Sequence, residues 1–105
     1  MPTFLVIQRH SPENCPRHNE KTRKIRLEFM DKAEAIMKKH GVKMVGGWVV
    51  HAEHLTVAVF EAPSLEAFQK CAMEPEHEKM SAYNTMEVKL AMSIEEATKI
   101  LKQTK

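Results

Sequence analysis

The chain is poor in aromatic residues, with one Trp, one Tyr and four Phe in 105 positions. So few rings argue against a base-stacking platform for single-stranded nucleic acid. An excess of one charge is also lacking. Sixteen Lys and Arg against 14 Asp and Glu leave a net charge of +2, and the two signs are interspersed. No basic patch for a phosphate backbone is expected, and so no nucleic-acid partner. No apolar run approaches the roughly 20 residues that span a bilayer, which removes the membrane as a partner. The start, MPTFLVIQRH, has neither the basic opening nor the cleavage site of a secretory signal, so a cytoplasmic location is expected. Cysteine is limited to Cys15 and Cys71. Their separation fits neither a disulfide framework nor a zinc knuckle, and both are read as free thiols.

What remains is an ordinary globular composition, 43% apolar and 29% charged, and one domain over residues 1–105 is expected. TFLVIQR at 3–9 has the β-branched and aromatic content of a strand, with Phe4, Val6 and Gln8 on one face. From Asn19 to His40 apolar residues recur at helical spacing: Ile25, Phe29, Ala33, Ile36 and Met37 form one stripe. Asn19 is placed to cap this helix and Gly41 to end it. Residues 42–50 and 55–62 read as an antiparallel hairpin across the short HAEH connection, with a bulge expected at Gly46-Gly47. A helix capped by Ser64 follows, broken near Met73–Glu76 by Pro75. A fourth strand at 85–93 and a final helix capped by Ser93 complete the chain.

The resulting order, β-α-β-β-α-β plus a terminal helix, predicts a ferredoxin-like α+β fold: a four-stranded antiparallel sheet with helices on one face. Met86, Val88 and Leu90 are then expected on the opposite face. Their apolar character calls for a cover, and a second copy of the sheet, giving a C2 homodimer, is the economical one.

This element order, with the stretch VAVFEAPSLEAFQKCAMEPEHEKMSAY, resembles the dimeric α+β barrel superfamily. Its members include small antibiotic-biosynthesis-monooxygenase-like proteins, muconolactone isomerases, haem-degrading enzymes and many small proteins of unknown function. The resemblance implies two ferredoxin-like subunits packed sheet to sheet, with a ligand cleft between sheet and helices. The haem-degrading members share an Asn on the first strand, a Trp on the third and an iron-ligating His on the second helix. Gln8, Phe60 and His77 stand at the corresponding places here. Only the histidine matches, so the resemblance does not carry haem cleavage to this chain, and no cofactor is expected.

The stretch RHSPENCPRHNE, residues 9–20, concentrates the remaining chemistry. His10, Cys15 and His18 have a spacing compatible with a loop metal site, since imidazole and thiolate together suit zinc or copper. A fourth ligand from His51 or His54 requires the hairpin turn to lie nearby. In the inferred topology the end of the first strand and the start of the third lie at different ends. A polar loop without metal is therefore the expectation. Cys15 is alternatively a nucleophile, if neighbouring cations lower its pKa, or an unreactive thiol. Cys71 belongs to the core.

His10 shares the Phe4–Val6–Gln8 face and is the candidate for proton transfer in the cleft, or else a hydrogen-bonded rim residue. Gln8, Trp48, Phe60, His77, Tyr83 and Cys15 are the candidate ligand-binding residues around it. The expected function is binding of a small organic molecule, or cofactor-independent proton transfer or oxygenation on one. A non-catalytic binding module, or metal or haem binding through histidines, is the alternative.

Overall fold

A computed structural model describes residues 1–104. Four strands form one antiparallel sheet: β1 (Thr3–Arg9), β2 (Lys43–Val50), β3 (Leu55–Glu61) and β4 (Thr85–Ala91). Their spatial order is β2-β3-β1-β4, so β1 and β3 are central and β2 and β4 are edges. The helices are α1 (Glu20–Lys39), α2 (Leu65–Ala72), α3 (Pro75–Ser81) and α4 (Ile94–Gln103). This is the ferredoxin-like α+β arrangement that the element order predicts.

Local chemistry explains most of the boundaries. The Asn19 side chain accepts from the Thr22 backbone N–H at 3.1 Å, which starts α1. At the other end Gly41 takes φ +71. Its N–H donates to the Lys38 carbonyl at 3.2 Å, and that of Val42 to Met37 at 2.8 Å. These two bonds satisfy carbonyls that the helix leaves open, in a Schellman termination. Ser64 and Ser93 cap α2 and α4 through the N–H groups of Ala67 and Glu96. Pro75 lacks an N–H and sits in the first turn of α3, so the expected break falls between Ala72 and Pro75. The strand irregularity lies between Met44 and Gly46, at the edge of the Gly46-Gly47 pair.

The core lies between the sheet and the helices. Phe4, Val42, Ala62 and Cys71 are buried together, with Ile36, Met37, Phe60 and Phe68 packed against them. Phe4 and Phe68 stack at 4.8 Å between ring centroids, which ties β1 to α2. Truncating a phenylalanine so buried to alanine costs about 3–5 kcal/mol. Glu74, just before α3, closes the other seam. Its Oε1 accepts from Lys39 Nζ and pairs with His40 Nε2, each at 2.9 Å.

The register corrects one expectation. Met86, Val88 and Leu90 pair with Gln8, Val6 and Phe4. Directly paired residues share a face, so these three project to the helix side and not to the open face. They remain exposed, Leu90 by 76%, because β4 is an edge that the helices do not reach across. The open face is apolar through other residues: Leu5 and Ile7 of β1, Val57 and Val59 of β3, and Trp48 of β2, which pairs with Val57. Trp48 is 61% exposed and lies over Gly46, where a Cβ would meet the indole at 2.8 Å. Helix α4 buries no residue, and Ile94 and Leu101 are 86% and 72% exposed.

Candidate functional site: a cleft and a histidine-cysteine cluster

Two adjoining hollows, of about 80 and 200 Å3, lie between the sheet and the helices and share Val6, Gln8, Phe29, Met44 and Phe60. Strand alternation puts Val6 and Gln8 on the helix side, and the α1 stripe brings Phe29 over them. His77 of α3 enters the smaller hollow and meets the Phe29 ring edge-on, with centroids 4.7 Å apart. Its Nδ1 is buried and has no hydrogen-bond partner among the described residues. Burial pushes the His77 imidazole below its ordinary range. His40 acts in the same direction, and Glu74 and Glu76 act against it. The His77 imidazole and the Gln8 amide, with Ser81 in the smaller hollow and Arg26 and Thr56 in the larger, are thus a few polar groups in a mostly apolar cleft, the composition expected of a small-molecule site.

A second constellation lies at the end of this cleft. Ligand atoms of His10, Cys15 and His54 all fall within 4.8 Å of one another. The sheet produces two of the three. Arg9 pairs with Leu55, and one step further the His10 N–H donates to the His54 carbonyl at 3.2 Å. In an antiparallel pair the end of one strand meets the start of the next, so the separation of these ends expected from the sequence is wrong. His54 closes the hairpin turn in a left-handed conformation, φ 52.

The loop delivers the third residue. Pro12–Asn14 form a single 3-10 turn, and the Cys15 N–H bonds back to the Pro12 carbonyl at 3.3 Å. Arg23 of α1 clamps the loop through the Pro16 and Arg17 carbonyls at 2.9 and 3.0 Å. Cys15 is buried by this clamp, and it is a free thiol, as is Cys71. Burial pushes the His10 imidazole below its ordinary range. His54 and Arg26 add to the shift, and Asn84 opposes it.

The candidate residues from the sequence therefore divide. Gln8, Phe60 and His77 line one hollow together; Gln8 and Phe60 also line the other, which edge-strand Trp48 borders although the register sets its side chain on the open face. His10 and Cys15 belong to the end cluster, in a cavity of about 120 Å3. Tyr83 lines none of these cavities. Its hydroxyl donates to Met80 Sδ at 3.2 Å, and burial pushes the phenol above its ordinary range. His18 is exposed outside the cluster, and His54 takes its place. Phe29 and Arg26 escaped notice as site residues. The helical stripe marks the first as apolar, and nothing in the sequence singles out the second.

A profile of the family described as a domain of unknown function (DUF3303) matches residues 2–105. The chain belongs to this family. No curated protein matches the sequence significantly. Among solved structures, this chain is similar to an antibiotic biosynthesis monooxygenase, at TM-score 0.61 and 13% identity. That match covers 90% of this chain and 99% of the other. A protein from Agrobacterium tumefaciens matches at TM-score 0.57 and 16% identity over 88% of this chain and 92% of its own. A dimeric ferredoxin-like protein from an uncultured marine organism matches at 0.51 and 17%, over 90% and 95%. At these identities the likeness is one of fold. No helix among the described residues is long and apolar enough to cross a membrane.

Proposed function

We propose that this DUF3303 protein binds a small, largely apolar organic molecule in the cleft between sheet and helices. The observation that carries the reading is that one mostly apolar hollow is lined by both Gln8 and His77, whose Nδ1 has no hydrogen-bond partner among the described residues. The ligand's ring or chain packs on Val6, Phe29 and Phe60, and its polar atom meets the amide and the imidazole. A neutral His77 can accept a proton from such a ligand, and His10 stands at the far end of the same sheet face. Cofactor-independent proton transfer or oxygenation is the chemistry this arrangement suits. The solved antibiotic biosynthesis monooxygenase of the same fold is in keeping with it. Haem does not fit. Hollows of about 80 and 200 Å3 fall short of even the roughly 300 Å3 at which drug-sized pockets begin.

The working unit is a homodimer joined through the open sheet faces. Leu5, Ile7, Val57, Val59 and Trp48 give that face its apolar surface, and one solved relative in fold is a dimeric ferredoxin-like protein.

Native mass spectrometry of freshly purified protein, with displacement of the dye 1-anilinonaphthalene-8-sulfonate, tests the cleft. An organic adduct or saturable dye binding is expected, weakened by His77→Leu and Gln8→Leu. Dye binding indifferent to both substitutions, with no adduct, refutes the reading.

A further inference from the structure

His10, Cys15 and His54 converge at the end of the cleft from the end of β1, the loop after it and the hairpin turn. We propose that they form a binding site for a zinc-class divalent ion, with the fourth coordination position open to the end cavity. The donor set is the first argument. Two imidazoles and a thiolate are borderline-soft ligands of the kind zinc takes, and three protein ligands with one open position is its common catalytic arrangement.

Geometry is the second argument. Tetrahedral zinc with ordinary bond lengths holds its ligand atoms about 3.3–3.6 Å apart. The three candidate atoms already lie within 4.8 Å, so side-chain movements of about 1 Å close the site.

The third argument is what the site leaves unsatisfied. His10 Nε2 and His54 Nδ1 are buried with no hydrogen-bond partner among the described residues. The two rings sit edge to face, with centroids 5.3 Å apart. Orphaned buried nitrogens are costly, and an ion bound through these two would satisfy both at once. The backbone is held in advance: the sheet register fixes His10 against His54, and the Arg23 clamp fixes the loop that carries Cys15. On binding, the Cys15 thiol releases its proton to solvent and the sulfur bonds the ion.

The cavity of about 120 Å3 above the three residues is also lined by Arg17, Arg26 and His51. With Arg17 and Arg26 lining this cavity, a small anion or hydroxide as fourth ligand would offset their charge beside the ion. Arg26 also lines the larger hollow of the cleft, so the ion would stand at the cleft's end. The site does not depend on the cleft being occupied.

Cobalt(II) serves as the probe, titrated into tag-free protein after chelator treatment. One equivalent is expected to give the intense visible bands of tetrahedral cobalt and a near-ultraviolet sulfur-to-cobalt charge-transfer band. One equivalent of zinc is expected to abolish both. Cys15→Ser removes the charge-transfer band, and His54→Asn, which tolerates the left-handed backbone, weakens binding about tenfold or more. His18→Ala leaves the titration unchanged. Absence of a one-to-one cobalt complex, or a charge-transfer band that persists in Cys15→Ser, overturns the proposal. If Cys15→Ser does not fold, His54→Asn decides: unchanged cobalt affinity in that variant overturns it equally.

Discussion

The His10 backbone N–H donates to the His54 carbonyl at 3.2 Å, extending the β1–β3 ladder one step beyond Arg9 and Leu55. The bond makes the two histidines cross-strand neighbours although 43 residues separate them in the chain. It also places the left-handed residue of the hairpin turn directly beside the end of a central strand.

That backbone conformation leads to a first prediction. At φ 52, a side chain with a branched Cβ crowds the following carbonyl, at a cost of about 1–2 kcal/mol. Urea unfolding is expected to show that loss for His54→Val but near-wild-type stability for His54→Asn. Equal stability of the two variants contradicts it.

Gly41 offers a second case with a steric element. At φ +71 a Cβ is strained whatever the space, and here it would also approach Pro63 Cγ to 3.1 Å. Gly41→Ala is expected to destabilise by about 1–2 kcal/mol or more, read as a lower urea midpoint with unchanged slope. A midpoint at or above wild type rules this out.

The buried imidazole of His77 gives stability a pH dependence. Unfolded, it takes up a proton near pH 6.5, whereas folded it does so only at lower pH. The unfolded chain therefore binds more protons in the window below about pH 6.5. The stability associated with the neutral ring is complete above that window and is lost as pH falls through the folded pKa. Wild type is expected to weaken more steeply than His77→Leu between pH 7 and pH 5. Parallel stability curves for the two proteins dispose of the explanation.

The open sheet face predicts assembly. Sedimentation at micromolar concentration is expected to give a dimer for wild type and a monomer for Val57→Lys. The emission of Trp48, the sole tryptophan, is expected to shift to the red as the partner is lost. A wild-type monomer that keeps its fold excludes the sheet-to-sheet pairing.

Elements governed by local chemistry were legible in the sequence. The Asn19 cap, the Gly41 termination, the Pro75 break and the strand at Thr3–Arg9 each depend on residues within one turn or one strand. Pairing register is different, because it depends on contacts between distant segments. Alternation groups Met86, Val88 and Leu90 on one side of β4, but only the register with Gln8, Val6 and Phe4 says which side. For the same reason the sequence offered His18 as partner to His10 and Cys15, by nearness in the chain. The sheet supplied His54, which the sequence had offered only as a conditional fourth ligand.

The loop between β1 and α1 is held by hydrogen bonds that end on main-chain oxygens. Arg23 reaches the carbonyls of Pro16 and Arg17, and the Asn19 amide reaches that of Glu13. Every amino acid carries such a carbonyl, so the loop's path does not depend on which side chains Glu13, Arg17 and His18 display. These three exposed positions can be exchanged while Cys15 stays where the clamp puts it. Selectivity at the rim of this cavity is therefore free to diverge on an unchanging frame.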